Sequence, residues 1–410
     1  MPKMRKRLII GFLLLWASGA AAASPAPLVE KDINPGTATE GACLPGPTNN
    51  RLAAARRGAS SPAVKDLGGI LEPIRLKHGL PALGAALVTG EGLEAVGVAG
   101  VRKAGTDIPA TAEDKWHLGS DTKAMTAYLV AALVERGKLK WETTVGESFP
   151  ELAGAAASPR FGKITLRELL SHRSGLPANV PWGLIPRTQP IRDQRLAAVK
   201  AASSAKIESE VSAKFLYSNL GYVVAGAMAE QAMGESWEEL MKKMVFGPLG
   251  MKSAGFGGVG TPGQIDQPWG HGPDGKPVKN NGPDADNPPV LGPAGTVHCT
   301  LADWSRFIAD ILRGARGEKA RLNPAIYEML QTPAFGGNYA LGWLVADRAW
   351  GGGQVLTHSG SNTMNLSVAW VAPLRDIAVL IVTNQGPPVA PKACDEAAST
   401  LIRDYLKTEK

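Results

Sequence analysis

Two runs of β type lie near each end of this chain, and a long stretch of helical period separates them. Near the start, "ALGAALVTGEGLEAVGVAG" (82–100) gives two short apolar runs broken by "TGEG", the signature of a hairpin. Near the end, "NLSVAWVAP" and "IAVLIVTN" flank "LRD" and form a second antiparallel pair (365–384). From Asp121 the period changes to 3.6, with Met125, Leu129, Ala132 and Leu133 on one face up to Gly137. Helical stretches recur at 165–171, 191–206 and 219–244. A helix at 64–79 (Leu67, Ile70, Leu71 and Ile74 on one face) precedes the first hairpin, and another at 392–407 closes the chain. The expected fold class is α+β, an antiparallel sheet built from both ends of the chain, flanked by helices, with a mostly helical subdomain inserted. The expected boundaries are a sheet subdomain from 61–115 and 295–410 and a helical subdomain over 116–294. No internal repeat is present, and 255–295 is rich in glycine and proline, a loop region.

The first 60 residues read differently. "MPKMRKR", "LIIGFLLLW" and "ASGAAAAS" follow one another as basic, apolar and small segments, the pattern of a secretory signal peptide. Cleavage is expected near Ala23. The apolar run Leu8–Trp16 is short for a bilayer span, so no stable membrane anchor is expected. Lipidation needs a cysteine at the cleavage site, and the nearest, Cys43, follows Glu40-Gly41-Ala42. Residues 24–60 read as a flexible leader, and the mature protein as periplasmic or secreted. Removing Lys3, Arg5, Lys6 and Arg7 leaves 40 basic against 37 acidic residues, with no basic run, so no nucleic-acid partner is expected. In an exported chain, Cys43, Cys299 and Cys394 allow one disulfide and one remaining thiol, with the pairing open. The six histidines are scattered and lack metal-ligand spacing; neither a metal nor another cofactor is expected.

Ser120-Asp121-Thr122-Lys123 stands where the helical period begins. A serine hydroxyl is a weak nucleophile until a base takes its proton. A lysine one turn on returns to the same face, and it serves as that base if burial lowers its pKa. The plain alternative is a serine that caps a helix. A second S-x-x-K, Ser203 to Lys206, falls in an alanine-rich helical segment and reads as a solvated helix face. Gly258 to Gly263 matches G-x-G-x-x-G, but Pro262 interrupts it without a strand–turn–helix frame, so it reads as loop. The G-x-S-x-G of α/β-hydrolases is absent.

Two further stretches extend the Ser120 pattern: Tyr217-Ser218-Asn219 in "FLYSNLGY", and His358-Ser359-Gly360 in "VLTHSGSN". In this order the three resemble the motif set of the serine beta-lactamase and penicillin-binding protein superfamily, in its class C-like branch. "ITLRELLSHRSGLP" (164–177), "FGPLGMKSAGFG" (246–257), "LGPAGTVHCTLADWSRF" (291–307) and "YALGW" (339–343) resemble signatures of the same family in their usual order, so the likeness spans about 64–407. It implies a beta-lactamase-like fold and an acyl-enzyme mechanism. Ser120 matches the acylated nucleophile, Lys123 the general base, and Tyr217 a second proton-transfer residue, as phenolate between two cations. Asn219 matches the side chain that binds a substrate amide, and His358, Ser359 and Gly360 the third motif. The N–H groups of Ser120 and Ser361 match the oxyanion hole, and His172-Arg173 a structural turn. The implied partner is a small molecule or peptide with an amide, lactam or ester carbonyl. Histidine stands where class C beta-lactamases carry lysine, and it titrates near pH 6.5 unless its surroundings shift it. The expectation is therefore a D,D-peptidase or broader peptidase/esterase before a beta-lactamase, with carboxylate binding that weakens as His358 loses its charge. A catalytically inactive homologue that binds peptidoglycan or a partner is the non-enzyme alternative.

Overall fold

A computed structural model describes residues 64–154, 158–207, 212 and 214–408. The expected signal peptide, the leader and Cys43 lie outside the described residues. The strands are β1 (Lys65–Asp66), β2 (Ala82–Thr89), β3 (Gly92–Gly100), β4 (Lys115–His117), β5 (Gly255–Phe256), β6 (Val297–Thr300), β7 (Leu344–Arg348), β8 (Gly353–Ser361), β9 (Leu366–Ala372) and β10 (Ile377–Thr383). Seven form the main sheet in the order β1-β3-β2-β10-β9-β8-β7.

The two hairpins meet where β10 pairs antiparallel with β2, Thr383 opposite Leu83 and Ala378 opposite Val88. β10 is buried along its whole length, and its side chains alternate between two cores. Val379 and Ile381 join one core with Leu71 and Ile74 of the Gly68–His78 helix and Ala397 and Leu401 of the Ala390–Thr408 helix. Ala378, Leu380 and Val382 join the other, with Leu129 of the Thr122–Glu135 helix and Phe307 of the Leu301–Ala315 helix. An apolar central strand with helices on both faces is therefore the seam of the molecule. One pairing departs from the antiparallel expectation: the two-residue β1 lies parallel to β3 and makes the sheet mixed.

The helical stretch at 219–244 is divided. Gly234 ends the Asn219–Met233 helix in a left-handed conformation (φ 75°), and Ser236 with Glu239 forms a capping box that starts the next at Trp237. The strongly amphipathic Leu301–Ala315 helix was not anticipated within the C-terminal sheet segment, nor was the small sheet β4-β6-β5. That small sheet closes the base of the helical excursion. The Leu118 N–H donates to Val297 O (2.9 Å) just before Ser120, and the Val297 N–H donates to Thr122 Oγ1 (3.1 Å) just after it. Cys299 and Cys394 are free thiols buried in different cores, so they do not pair with each other. Gly258–Gly263 lies in a loop, as read.

Candidate active site

Ser120 sits in a 3-10 turn, Gly119–Asp121, that runs directly into the Thr122–Glu135 helix. Asp121, not Ser120, is the residue before the helix, and no side chain caps it, so the capping-serine alternative fails. Two glycines set the turn against β8. Gly119 has φ +48°, and a Cβ there would lie 2.3 Å from Ser361 N. A Cβ on Gly360 would lie 2.5 Å from Ser120 N and 2.0 Å from Leu118 O. Only hydrogen at both positions lets the two backbones approach this closely. The approach brings the Ser120 and Ser361 amides together at a helix start, where N–H groups have no intrahelical acceptor. These are the two amides expected to form an oxyanion hole.

Lys123 is fully buried and the Ser120 residue is partly exposed, so the serine is reachable while the lysine is hidden. Lys123 Nζ lies 3.0 Å from Ser120 Oγ, 2.8 Å from Asn219 Oδ1 and 2.7 Å from Ala294 O. These three partners carry no charge. A buried ammonium with only neutral partners is costly, and burial holds the Lys123 amine well below the ordinary lysine range. A neutral amine has two N–H groups and one lone pair. The Asn219 and Ala294 oxygens only accept, so they take the two protons and leave the lone pair for the Ser120 hydroxyl. Ala294 is fixed in turn, because Thr126 Oγ1 donates to the adjacent Pro293 O (2.7 Å).

Tyr217 joins this group: its hydroxyl lies beside Ser120, and its ring centroid is 4.8 Å from Lys123 Nζ. The phenolate expected between two cations is not supported. Burial raises the Tyr217 pKa above its ordinary value, and the neighbouring amine is neutral, so the phenol keeps its proton. His172, expected only as part of a turn, braces this tyrosine. Its backbone is left-handed (φ 58°) and its ring centroid is 4.3 Å from that of Tyr217. Leu216 N–H donates to His172 O (2.8 Å) and Ser218 N–H donates to His172 Nδ1 (3.0 Å), which fixes the neutral tautomer protonated on Nε2.

Asn219 begins the Asn219–Met233 helix, after a cap in which the Gly221 N–H donates to Ser218 Oγ. Its Oδ1 must face the Lys123 N–H, so its Nδ2 points the other way and donates to Asn179 Oδ1 (3.1 Å), which also accepts from Trp182 Nε1 (3.1 Å). One N–H and one lone pair of the Asn219 amide remain for a substrate amide. Asn179 was not singled out in the sequence. It lies two residues past the "SGLP" signature, and only the folded chain brings it to Asn219.

On β8, Ser359 is partly exposed opposite Val368, and Gly360 is the close-approach residue described above. His358 is 8% exposed; its Nε2 bonds to the Tyr339 hydroxyl (3.1 Å), and its Nδ1 has no hydrogen-bond partner. Burial pushes its pKa down to about 3. The expectation of a histidine that gains charge near pH 6.5 and holds a carboxylate therefore fails: His358 is neutral throughout the working range. Its burial is a tertiary property, and no local pattern reports it.

The second S-x-x-K copy is elsewhere. Ser203 is buried, not solvated, and donates to Lys200 O of its own helix (2.8 Å), while Lys206 is exposed beyond the helix end at Ser204.

Comparison with known proteins gives the family and the fold. A family model described as Beta-lactamase matches residues 55–402. Penicillin-binding protein 4 of Amycolatopsis lactamdurans is 25% identical over 341 residues, covering 77% of this chain and 84% of that protein. The D-alanyl-D-alanine-carboxypeptidase/endopeptidase AmpH of Escherichia coli (strain K12) is 24% identical over 345 residues, 80% of this chain and 86% of that protein. Among solved structures, D-alanine carboxypeptidase AmpC from Burkholderia cenocepacia superposes with a TM-score of 0.63 at 20% identity, over 80% of this chain and 96% of that one.

Proposed function

The chain belongs to the beta-lactamase family of serine hydrolases, and from that premise we infer that it works through an acyl-enzyme on Ser120, as a peptidase or esterase. The observation that carries this reading is the environment of Lys123. A buried amine whose two N–H groups are taken by Asn219 and Ala294 presents its lone pair to the Ser120 hydroxyl. As Ser120 Oγ attacks a carbonyl carbon, its proton passes to Lys123 Nζ, and the carbonyl oxygen gains charge between the Ser120 and Ser361 N–H groups. The leaving amine or alkoxide then takes that proton back from Lys123 Nζ through the Tyr217 hydroxyl, which is protonated at rest and passes one proton on as it accepts the other. Water releases the acyl group by the same path in reverse.

Neutral His358 offers no cation to a substrate carboxylate, which favours esters and peptides without a carboxylate at that position over beta-lactams and D-Ala–D-Ala termini alike. The chain is also read as exported, from its N-terminal segment. A substrate panel tests the reading. Intact-mass analysis after a labelled penicillin and after a fluorophosphonate is expected to show one adduct, on Ser120. Turnover of a D-Ala–D-Ala peptide, a cephalosporin and a neutral ester then ranks the activities. No adduct with any acylating reagent would favour the non-catalytic binding homologue.

A further inference from the structure

Asp121 follows the nucleophile directly, is 2% exposed, and makes no hydrogen bond to a cation. Its Oδ2 lies 2.5 Å from Ser367 Oγ on β9, and that same hydroxyl oxygen lies 2.7 Å from Leu118 O. A serine hydroxyl has one proton, and a backbone carbonyl oxygen can only accept. Leu118 O also accepts from the Asp121 N–H (3.1 Å), so it keeps a donor in either state. With Asp121 ionised, however, the two short O···O contacts of Ser367 Oγ would share one proton, and one of them would set lone pair against lone pair. A proton on Asp121 Oδ2 removes the conflict: Asp121 donates to Ser367, and Ser367 donates to Leu118. The groups facing this carboxyl are consistent with it. Lys123, from the helix start, is neutral. His358, from β8, presents an unpartnered Nδ1 at 3.8 Å from the equally unpartnered Asp121 Oδ1. The phenols of Tyr217 and Tyr339 also lie within the field of Asp121. Burial pushes the Asp121 carboxyl up to about 7, against the opposing pull of the Ser367 hydroxyl.

We propose that Asp121 is a positioning residue that rests as a neutral carboxylic acid, donating through Ser367 to the Leu118 carbonyl, so that the turn bearing Ser120 is tied to β9 and no anion stands by to hold a proton on Lys123. The catalytic part of this proposal rests on the acyl-enzyme reading. As pH rises, Asp121 gives its proton to solvent hydroxide, Ser367 can no longer bond both oxygens with its single proton, and a carboxylate stands behind the site where the oxyanion develops. Acylation falls. On the acid side, the protonation of Lys123 limits the rate, and a neutral Asp121 does not alter it.

Asp121→Asn separates these roles, because its amide N–H still donates to Ser367 but cannot ionise. The pH profile of the acylation rate is the readout. The variant is expected within about threefold of the native protein at pH 6, with the acid limb unmoved and the alkaline fall abolished, whereas Asp121→Ala loses about tenfold or more at every pH. An acid limb displaced to lower pH in Asp121→Asn would overturn the proposal, since it would show that a native carboxylate had been raising the Lys123 pKa. A second measurement needs no catalysis. Infrared spectroscopy of protein carrying ¹³C-labelled aspartate, in an Asp395→Asn background because burial lifts Asp395 to about 6, is expected to show a carboxylic-acid carbonyl band at pH 6. That band is lost at pH 9 and absent in Asp121→Asn. Absence of the band at pH 6 overturns the proposal whatever the protein acylates. A band in a protein that no reagent acylates would sink the acyl-enzyme reading and uphold the proton assignment.

Discussion

Ser120-x-x-Lys123 and Ser203-x-x-Lys206 share a spacing and differ in everything that matters for chemistry. In the first, the serine precedes a helix and the lysine sits in its first turn; in the second, the serine is in the last turn and the lysine is past the end. Ser120 Oγ meets the amine of its own lysine at 3.0 Å, while Ser203 Oγ is satisfied by the carbonyl of Lys200. Lys123 is fully buried and loses its charge; Lys206 is exposed. The spacing supplies only the chance of a meeting. The polarity of the helix end decides whether it happens, and burial decides whether the amine is a base.

The comparison can be broken most directly at the nucleophile. Ser120→Ala is expected to abolish labelling by a fluorophosphonate, read by intact mass, and a persisting label would move the nucleophile elsewhere. Lys123→Met removes the base and keeps the bulk, with an expected loss in acylation rate of roughly 10²–10⁴-fold. The same change is expected to raise the melting temperature near pH 7. The folded-state pKa of Lys123 lies below its unfolded value, so below about pH 10 the unfolded chain binds the extra proton and folding works against that difference. A lower melting temperature would mean that the native lysine is charged and well paired. Gly360→Ala places a methyl group against Ser120 N and is expected to cost about 10²–10³-fold in turnover, the scale of a lost oxyanion donor, with little change in KM. Because His358 is neutral, the ratio of kcat/KM for a carboxylate-bearing peptide to that for a neutral ester is expected to stay flat from about pH 5.5 to 8. A ratio declining with pH would show that His358 titrates in that range. At the small end, Ser203→Ala and Lys206→Met are expected to leave turnover unchanged and shift stability by no more than about 0.5 kcal/mol. A larger loss of activity there would erase the distinction between the two copies.

The long, strongly patterned pieces were legible. The two hairpins, the helix after Asp121 and the terminal helix carry enough residues for their period to show. β4, β5 and β6 span two to four residues each and give no periodicity, although they place Ser120. The break at Gly234 was signalled by the capping box Ser236–Glu239 and overridden in the reading by apolar continuity. In the site, Ser120, Lys123, Tyr217 and Asn219 were found by motif order, and the structure brings them together. Asn179, His172, Tyr339 and Asp121 take part through contacts that no local sequence pattern encodes. The charge states of Tyr217 and His358 were misread for a related reason, because burial sets them, and burial belongs to the folded chain.

The seam between β2 and β10 also governs how the protein comes to be. The central strand of the sheet is synthesised long after its neighbour β2, and residue 83 must wait for residue 383. Until then β2 and β9 each present an unpaired edge, and such edges are prone to join other chains. Closing contacts so distant in sequence makes for slow folding. It also makes folding all-or-none: Ser361, Ser367 and the strand that supports them arrive together, so a chain cut short before Ile377 carries the whole Ser120–Lys123 segment and still has no assembled site.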